Sequence, residues 1–151
     1  MTVYTYDKEG NVLTRTDANG KTTTYEYDAL YRPTKRTDAD GAASYAYDAC
    51  GNLTKYVNRE NEWVVYDYDA MERQIRATNQ LNHATAYEYD LAGNVAAVVD
   101  GSRGRTEYAY DGLNRVTSVT DGEGGVVAYA YDYLGNVASV TGANGGVTSY
   151  T

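Results

Sequence analysis

The sequence predicts an all-β chain of tandem β-hairpins, and three observations lead there. The tetrapeptide Y-x-Y-D occurs seven times, ending at Asp7, Asp28, Asp48, Asp69, Asp90, Asp111 and Asp132, in steps of 21, 20, 21, 21, 21 and 21 residues. A fixed period of this length marks a repeat architecture. Two turn signals divide each period and leave two strands of about six residues, an ordinary strand length. The chain has 18 tyrosines and no Phe, so its apolar mass is carried by a β-forming ring with a polar tip. The expected fold is a curved antiparallel strip of about fourteen strands, one array over residues 1–151, bent by strand twist and bulges.

The second strand of each hairpin carries the signature. Its columns are Tyr25 and Tyr27 before Asp28, Tyr45 and Tyr47 before Asp48, and Tyr66 and Tyr68 before Asp69. They continue with Tyr87 and Tyr89 before Asp90, Tyr108 and Tyr110 before Asp111, and Tyr129 and Tyr131 before Asp132. Tyr150 begins an eighth copy. Tyrosines two apart share one face of a strand. The residues between them, Glu26, Ala46, Asp67, Glu88, Ala109 and Ala130, make the other face small or acidic. The first strand is less regular: Val116, Ser118 and Thr120 point one way, Thr117 and Val119 the other.

Two turns bound the strands. One follows each signature Asp, where Gly10, Gly51, Gly93 and Gly135 alternate with Tyr31, Glu72 and Asn114. Tyr and Glu disfavour positive φ, so the alternate copies are expected to turn differently, and Glu72 to tolerate a β-branched residue better than Gly20. The next column alternates strictly between Asn (Asn11, Asn52, Asn94, Asn136) and Arg (Arg32, Arg73, Arg115), a 42-residue superperiod. Neighbouring copies lie about 10 Å apart along the strip, within reach of arginine. These arginines are therefore expected to tie adjacent repeats by bonding the signature carboxylate or a carbonyl of the next copy. The other turn is D-x-x-G, with Gly20 and Gly41 at a left-handed position that closes the hairpin with a bulge. Asn58–Asn61 and Asn79–Asn82 replace it with altered tips. The one-residue deletion between Asp38 and Asp48 is expected at the tip near Gly41, because a slip inside a strand would reverse its faces.

Composition narrows the function. Leu, Ile, Val and Phe together number 23 of 151 residues, a level that would suggest disorder without the tyrosines. Net charge is −8 with no cluster of Lys or Arg, which argues against nucleic acid and anionic membranes as partners. No apolar run is long enough to span a bilayer, and this stretch carries no targeting signal. A single cysteine excludes an internal disulfide framework.

The chain resembles the YD-repeat family, also called RHS repeats. The residues that carry the likeness are Tyr108-Ala109-Tyr110-Asp111, followed by Asn114-Arg115-Val116 and Thr120-Asp121, and similar runs in about seven copies. The resemblance implies β-hairpins laid side by side in a strip that spirals into a hollow shell. Such shells occur in polymorphic toxins, insecticidal toxin complexes, wall-associated proteins and teneurins, which are secreted or on the cell surface. It implies a non-catalytic structural module whose partners are flanking repeats and, in toxins, an enclosed cytotoxic domain. The family's core-closing self-cleavage segment, toxin domain and surface anchor are not seen here, as in a segment taken from the middle of a longer chain.

Seven equivalent Asp residues do not make an acid–base pair, which needs two carboxylates in different environments, so they are read as turn caps. Asp38-Ala39-Asp40-Gly41 starts like a calcium loop but has Ala42 and Ala49 where such a loop needs oxygen ligands. His83 is read as a surface residue and Cys50 as a small apolar plug in a column with Leu30, Met71, Leu113 and Leu134. No cofactor is expected. The tyrosine columns are read as a packed ladder, with a glycan-binding platform as the alternative. Weak, salt-promoted self-association is expected through strand edges and the tyrosine face.

Overall fold

The computed structural model describes residues 1–150, and their regular structure is β throughout. Contacts divide the chain into two compact units, Met1–Asn82 and the residues from His83 onward. The first unit holds β1 (Val3–Tyr6), β2 (Val12–Thr16), β3 (Thr22–Tyr27), β4 (Pro33–Asp38), β5 (Gly41–Tyr47), β6 (Leu53–Val57), β7 (Trp63–Tyr68) and β8 (Gln74–Asn79). Each pairs antiparallel with the next. The second unit holds β9 (Ala84–Tyr89), β10 (Val95–Asp100), β11 (Gly104–Tyr110), β12 (Val116–Thr120), β13 (Val126–Tyr131), β14 (Val137–Thr141) and β15 (Val147–Ser149). These also pair antiparallel in sequence order. The chain is an all-β series of tandem hairpins, and β15 is the strand that leads into Tyr150.

The register explains the irregular first strand. Ala109 faces Ser118, but Tyr110 faces Val116, so Thr117 is an extra residue. The same step recurs in every copy: Tyr27 faces Pro33 past Thr34, Tyr68 faces Gln74 past Ile75, and Tyr131 faces Val137 past Ala138. A bulge of this kind sets two residues against one and resets the side-chain alternation beyond it. Val116 and Val119, three apart, therefore both lie on the tyrosine face, opposite Tyr110 and Tyr108. The period-2 reading of that strand is corrected accordingly.

Within each unit, neither face of the strands carries a second layer among the described residues. Among the described residues only Ala43, Ala97 and Thr23 are buried, and no large side chain is fully enclosed. The signature tyrosines from Tyr25 to Tyr131 are half-buried against their neighbours, while the residues between them are exposed. On the opposite face cross-strand pairs act: Lys35 Nζ lies 3.1 Å from Glu26 Oε1, and Arg105 bridges Glu88 and Glu107. Ala97, fully buried, lies between those two glutamates in the ladder. Small and charged residues here are complementary, since the guanidinium stem covers what a larger residue would displace.

The tips follow one scheme. Asp17 N–H donates to the Lys21 carbonyl and Gly20 N–H to the Asp17 carbonyl, a type I turn closed by a bulge residue at positive φ. The tips without Asp and Gly keep this conformation. Asn61 stands at φ 62° and Asn82 at φ 59°, and the Asn58 carboxamide oxygen accepts the Glu60 and Glu62 N–H groups. Asn replaces both residues because it accepts as Asp does and tolerates the left-handed region. At the deletion, Asp38 pairs directly with Gly41, so the missing residue is lost from the tip.

The turns after the signature Asp overturn one expectation. Tyr31, Glu72 and Asn114 do not escape positive φ; they sit at 61°, 62° and 59°, in hydrogen-bond patterns matching those of the Gly copies. The strain is accepted because the Asp cap and the flanking ladders determine the turn from both sides. Glu72→Gly is therefore expected to stabilise the chain by about 1 kcal/mol. Valine at Gly20, at φ 79°, should destabilise it by about 1–2 kcal/mol, and valine at Glu72 by less, because the Glu72 Cβ already carries that penalty. Thermal melts of the three variants check this; a Glu72→Gly melt below that of the parent would contradict it.

Candidate functional site

The signature Asp organises one row of turns within each unit. Asp69 Oδ1 accepts the N–H groups of Met71 and Arg73 at 2.8 and 3.0 Å, and Oδ2 accepts Arg73 Nε at 2.8 Å. Asp48 uses the same oxygens on the Gly51 and Asn52 N–H groups and on Asn52 Nδ2. Asn and Arg thus alternate in one role, each donating to the carboxylate four residues earlier. The pattern repeats at Asp7, Asp28, Asp90, Asp111 and Asp132.

All seven carboxyls are held below the ordinary carboxylate value. The side-chain bond from Asn or Arg is the main cause at Asp7, Asp48, Asp69, Asp90, Asp111 and Asp132. At Asp28 desolvation pushes upward most strongly, and the backbone and side-chain bonds from Arg32 outweigh it. Groups fixed in the ionised form by donors are caps, stable as anions near neutral pH.

Arginine does more than asparagine. Arg32 Nη1 donates to the Asp48 carbonyl at 2.9 Å, and its guanidinium lies 4.7 Å from the Tyr47 ring centre. Arg115 lies 4.3 Å from the Tyr131 ring centre. Arg32 and Arg115 therefore hold their own turn through the carboxylate and the next repeat through a ring or carbonyl. Of the expected partners in the next copy, Arg32 takes the Asp48 carbonyl; the carboxylate each arginine binds is that of its own turn, four residues back and nearer. Arg73 binds Asp69 in the same way.

The second tyrosine of the signature makes the tie that the sequence reading missed. Its hydroxyl donates across the sheet to the carbonyl at the start of the preceding first strand. Tyr27 reaches Val12 at 3.0 Å, Tyr47 reaches Pro33 at 3.0 Å, Tyr68 reaches Leu53 at 2.9 Å, Tyr110 reaches Val95 at 2.9 Å and Tyr131 reaches Val116 at 2.7 Å. Burial raises the Tyr47, Tyr68 and Tyr110 hydroxyls above their usual value, so they remain protonated donors. The signal was in the composition: a column that never substitutes Phe for Tyr needs the hydroxyl.

At the opposite row of tips, the Arg59 guanidinium binds Asp38 and lies 3.6 Å from Asp40 Oδ2, joining turns 21 residues apart. The carboxylates of the calcium-like segment are thus engaged by arginine. Cys50 is exposed, as are Leu30, Met71, Leu113 and Leu134, so this column protrudes and Cys50 plugs nothing. No group of three metal-ligating side chains occurs among the described residues.

The family model described as RHS Repeat matches residues 6–43 and 89–126. No curated protein sequence matches the chain. Among solved structures, the chain is similar to a Photorhabdus luminescens Tc holotoxin pore carrying a TccC3 mutation, to a TcdB2–TccC3 complex and to a TcdB2–TccC3–Cdc42 complex. Each match has 20% identity and a TM-score of 0.78, and covers 98% of this chain but 9% of the other. The chain therefore spans about a tenth of the length of those it matches, and at this identity the likeness is one of fold.

Proposed function

From the premise that this chain belongs to the RHS-repeat family, we propose that it is a wall segment of a hollow β-shell, secreted or displayed at the cell surface, that encloses a toxin domain. The chain is a structural repeat module. The observation that carries the enclosing role is the tie between repeats: the hydroxyls of Tyr27, Tyr47, Tyr68, Tyr110 and Tyr131, and the guanidinium groups of Arg32 and Arg115, join successive hairpins with few buried side chains behind them. Hairpins locked edge to edge make a wall one layer thick, which suits a container better than a compact binding domain. The fold likeness to Tc toxin components supports the same reading. The partners would be the flanking repeats and the enclosed domain. A sugar platform along the tyrosine columns fits less well, because those rings are half-buried and five second-column hydroxyls are bonded within the sheet.

Limited proteolysis of the parent polypeptide tests the proposal. The downstream domain is expected to resist protease while the repeats are folded and to become cleavable in a Tyr68→Ala, Tyr110→Ala double variant. Cleavage at the same rate in parent and variant would overturn enclosure.

A further inference from the structure

We propose that Asn144, in the tip between β14 and β15, is a site of spontaneous deamidation at which the fold itself supplies the group that activates the side chain. This site goes beyond the wall reading and does not depend on it.

The chain contains two Asn-Gly pairs, Asn19-Gly20 and Asn144-Gly145, each at the same place in a hairpin tip. In such a pair the following amide nitrogen can reach the side-chain carbonyl carbon, because glycine puts no Cβ in the way. The two backbones match. Gly20 and Gly145 stand at φ 79° and 80°, and their N–H groups donate to the Asp17 and Gly142 carbonyls at 3.0 and 2.9 Å. The closing bonds match too: Asp17 N–H donates to the Lys21 carbonyl at 2.9 Å, and Gly142 N–H to the Gly146 carbonyl at 2.8 Å. Any difference in reactivity therefore lies in the side chains.

The side chains differ in who caps the turn. In the first tip Asp17 Oδ1 accepts the N–H groups of Asn19 and Lys21 at 2.8 and 3.0 Å. In the last tip Gly142 stands in place of that Asp. The Gly146 N–H, which corresponds to that of Lys21, donates to Asn144 Oδ1 at 3.0 Å. Asn144 has taken over the cap. Glycine on both sides makes room for it: a Cβ at Gly142 or at Gly146 would lie 3.1 Å from Asn144 Oδ1, closer than side chains ordinarily pack. The carboxamide is folded over the tip, with its carbonyl polarised by a backbone donor.

The reaction uses that donor. The Gly145 nitrogen attacks Asn144 Cγ, and the new C–N bond closes a five-membered succinimide. The Cγ–Nδ2 bond breaks, and the Gly145 amide proton leaves with Nδ2 as ammonia. Negative charge builds on Oδ1 in the tetrahedral intermediate, where the Gly146 N–H already points, as in an oxyanion hole. Solvent water then opens the ring at either carbonyl, giving aspartate or isoaspartate. At Asn19 the corresponding donor is held by Asp17, whose negative charge also opposes loss of the Gly20 amide proton. Aspartate at position 144 adds one negative charge and can keep the cap. Isoaspartate adds an atom to the backbone of the turn and so disturbs the register of β15.

Peptide mapping by mass spectrometry, on the folded chain held at mildly alkaline pH and physiological temperature, tests the site. Asn144 is expected to convert about fivefold faster than Asn19, the rate equivalent of one hydrogen bond gained in the transition state. In concentrated urea the two sites should convert at similar rates. Gly142→Asp restores the cap of the first tip at a position outside the left-handed region, and should slow Asn144 to the rate of Asn19. Gly146→Lys, whose Cβ would displace the carboxamide, should do the same. Any of three results would overturn the proposal: equal rates in the folded chain, an Asn144 excess undiminished in urea, or an Asn144 rate that neither substitution lowers.

Discussion

Tyr68→Ala is expected to lower stability by about 2–3 kcal/mol, the cost of deleting a half-buried aromatic side chain that cannot be filled from one layer. Tyr68→Phe is expected to lower it by about 1 kcal/mol, because only the bond to the Leu53 carbonyl is lost. The ring and the hydroxyl thus contribute separately, and urea denaturation of both variants separates them. The loss should be largest for repeats on either side of the substitution, since each hairpin depends on its immediate neighbours. A Tyr68→Phe variant as stable as the parent would show that the 2.9 Å bond adds nothing beyond solvation, and the tie between repeats would then rest on packing.

Acid is expected to loosen the whole array at once. The seven signature carboxyls are held below their unfolded value, about 3.9 for an ordinary Asp. Their contribution to stability is complete above that value, declines as pH falls through it, and is gone once pH is below the folded values. Asp100, at a hairpin tip, is lowered to about 2 chiefly by the Ser102 hydroxyl, and its own contribution persists until pH approaches that value. Melting temperature should hold from pH 7 to about pH 5 and fall steeply below about pH 4. The caps at Asn58 and Asn79 are carboxamides and have no acid proton to gain over this range. Asp69→Asn should accordingly flatten the acid limb slightly while keeping the turn. An unchanged melting temperature at pH 2.5 would contradict the role of these caps.

The hairpin array was legible because the Y-x-Y-D period counts strands and the D-x-x-G column counts turns. The bulge was not, since its extra residue varies from Leu13 to Thr34, Ile75 and Ala138. Nothing in side-chain chemistry marks a position defined only by backbone pairing. The positive φ at Tyr31 and Glu72 was hidden for the opposite reason: residue preference pointed away from a conformation that the surrounding turn imposes. At the signature, the Asp caps followed from residue type. The reach of the tyrosine hydroxyl depends on which carbonyl the twisted sheet brings beneath it, and sequence spacing alone does not give that.

The tyrosine ties join residues 14 or 15 apart, the Arg32 tie spans 16 and the Arg59 tie spans 21. For an all-β protein these are short separations, and the speed of folding follows the mean separation of contacting residues. Each hairpin can dock as soon as the one before it has formed, without waiting for a distant strand. Such a chain can be assembled in order as it emerges from the ribosome, each new copy reading its register from the carbonyl left by the last. Errors would stay local, confined to one hairpin and its neighbours, which lets a very long sheet be built by a chain that never has to find a remote part of itself.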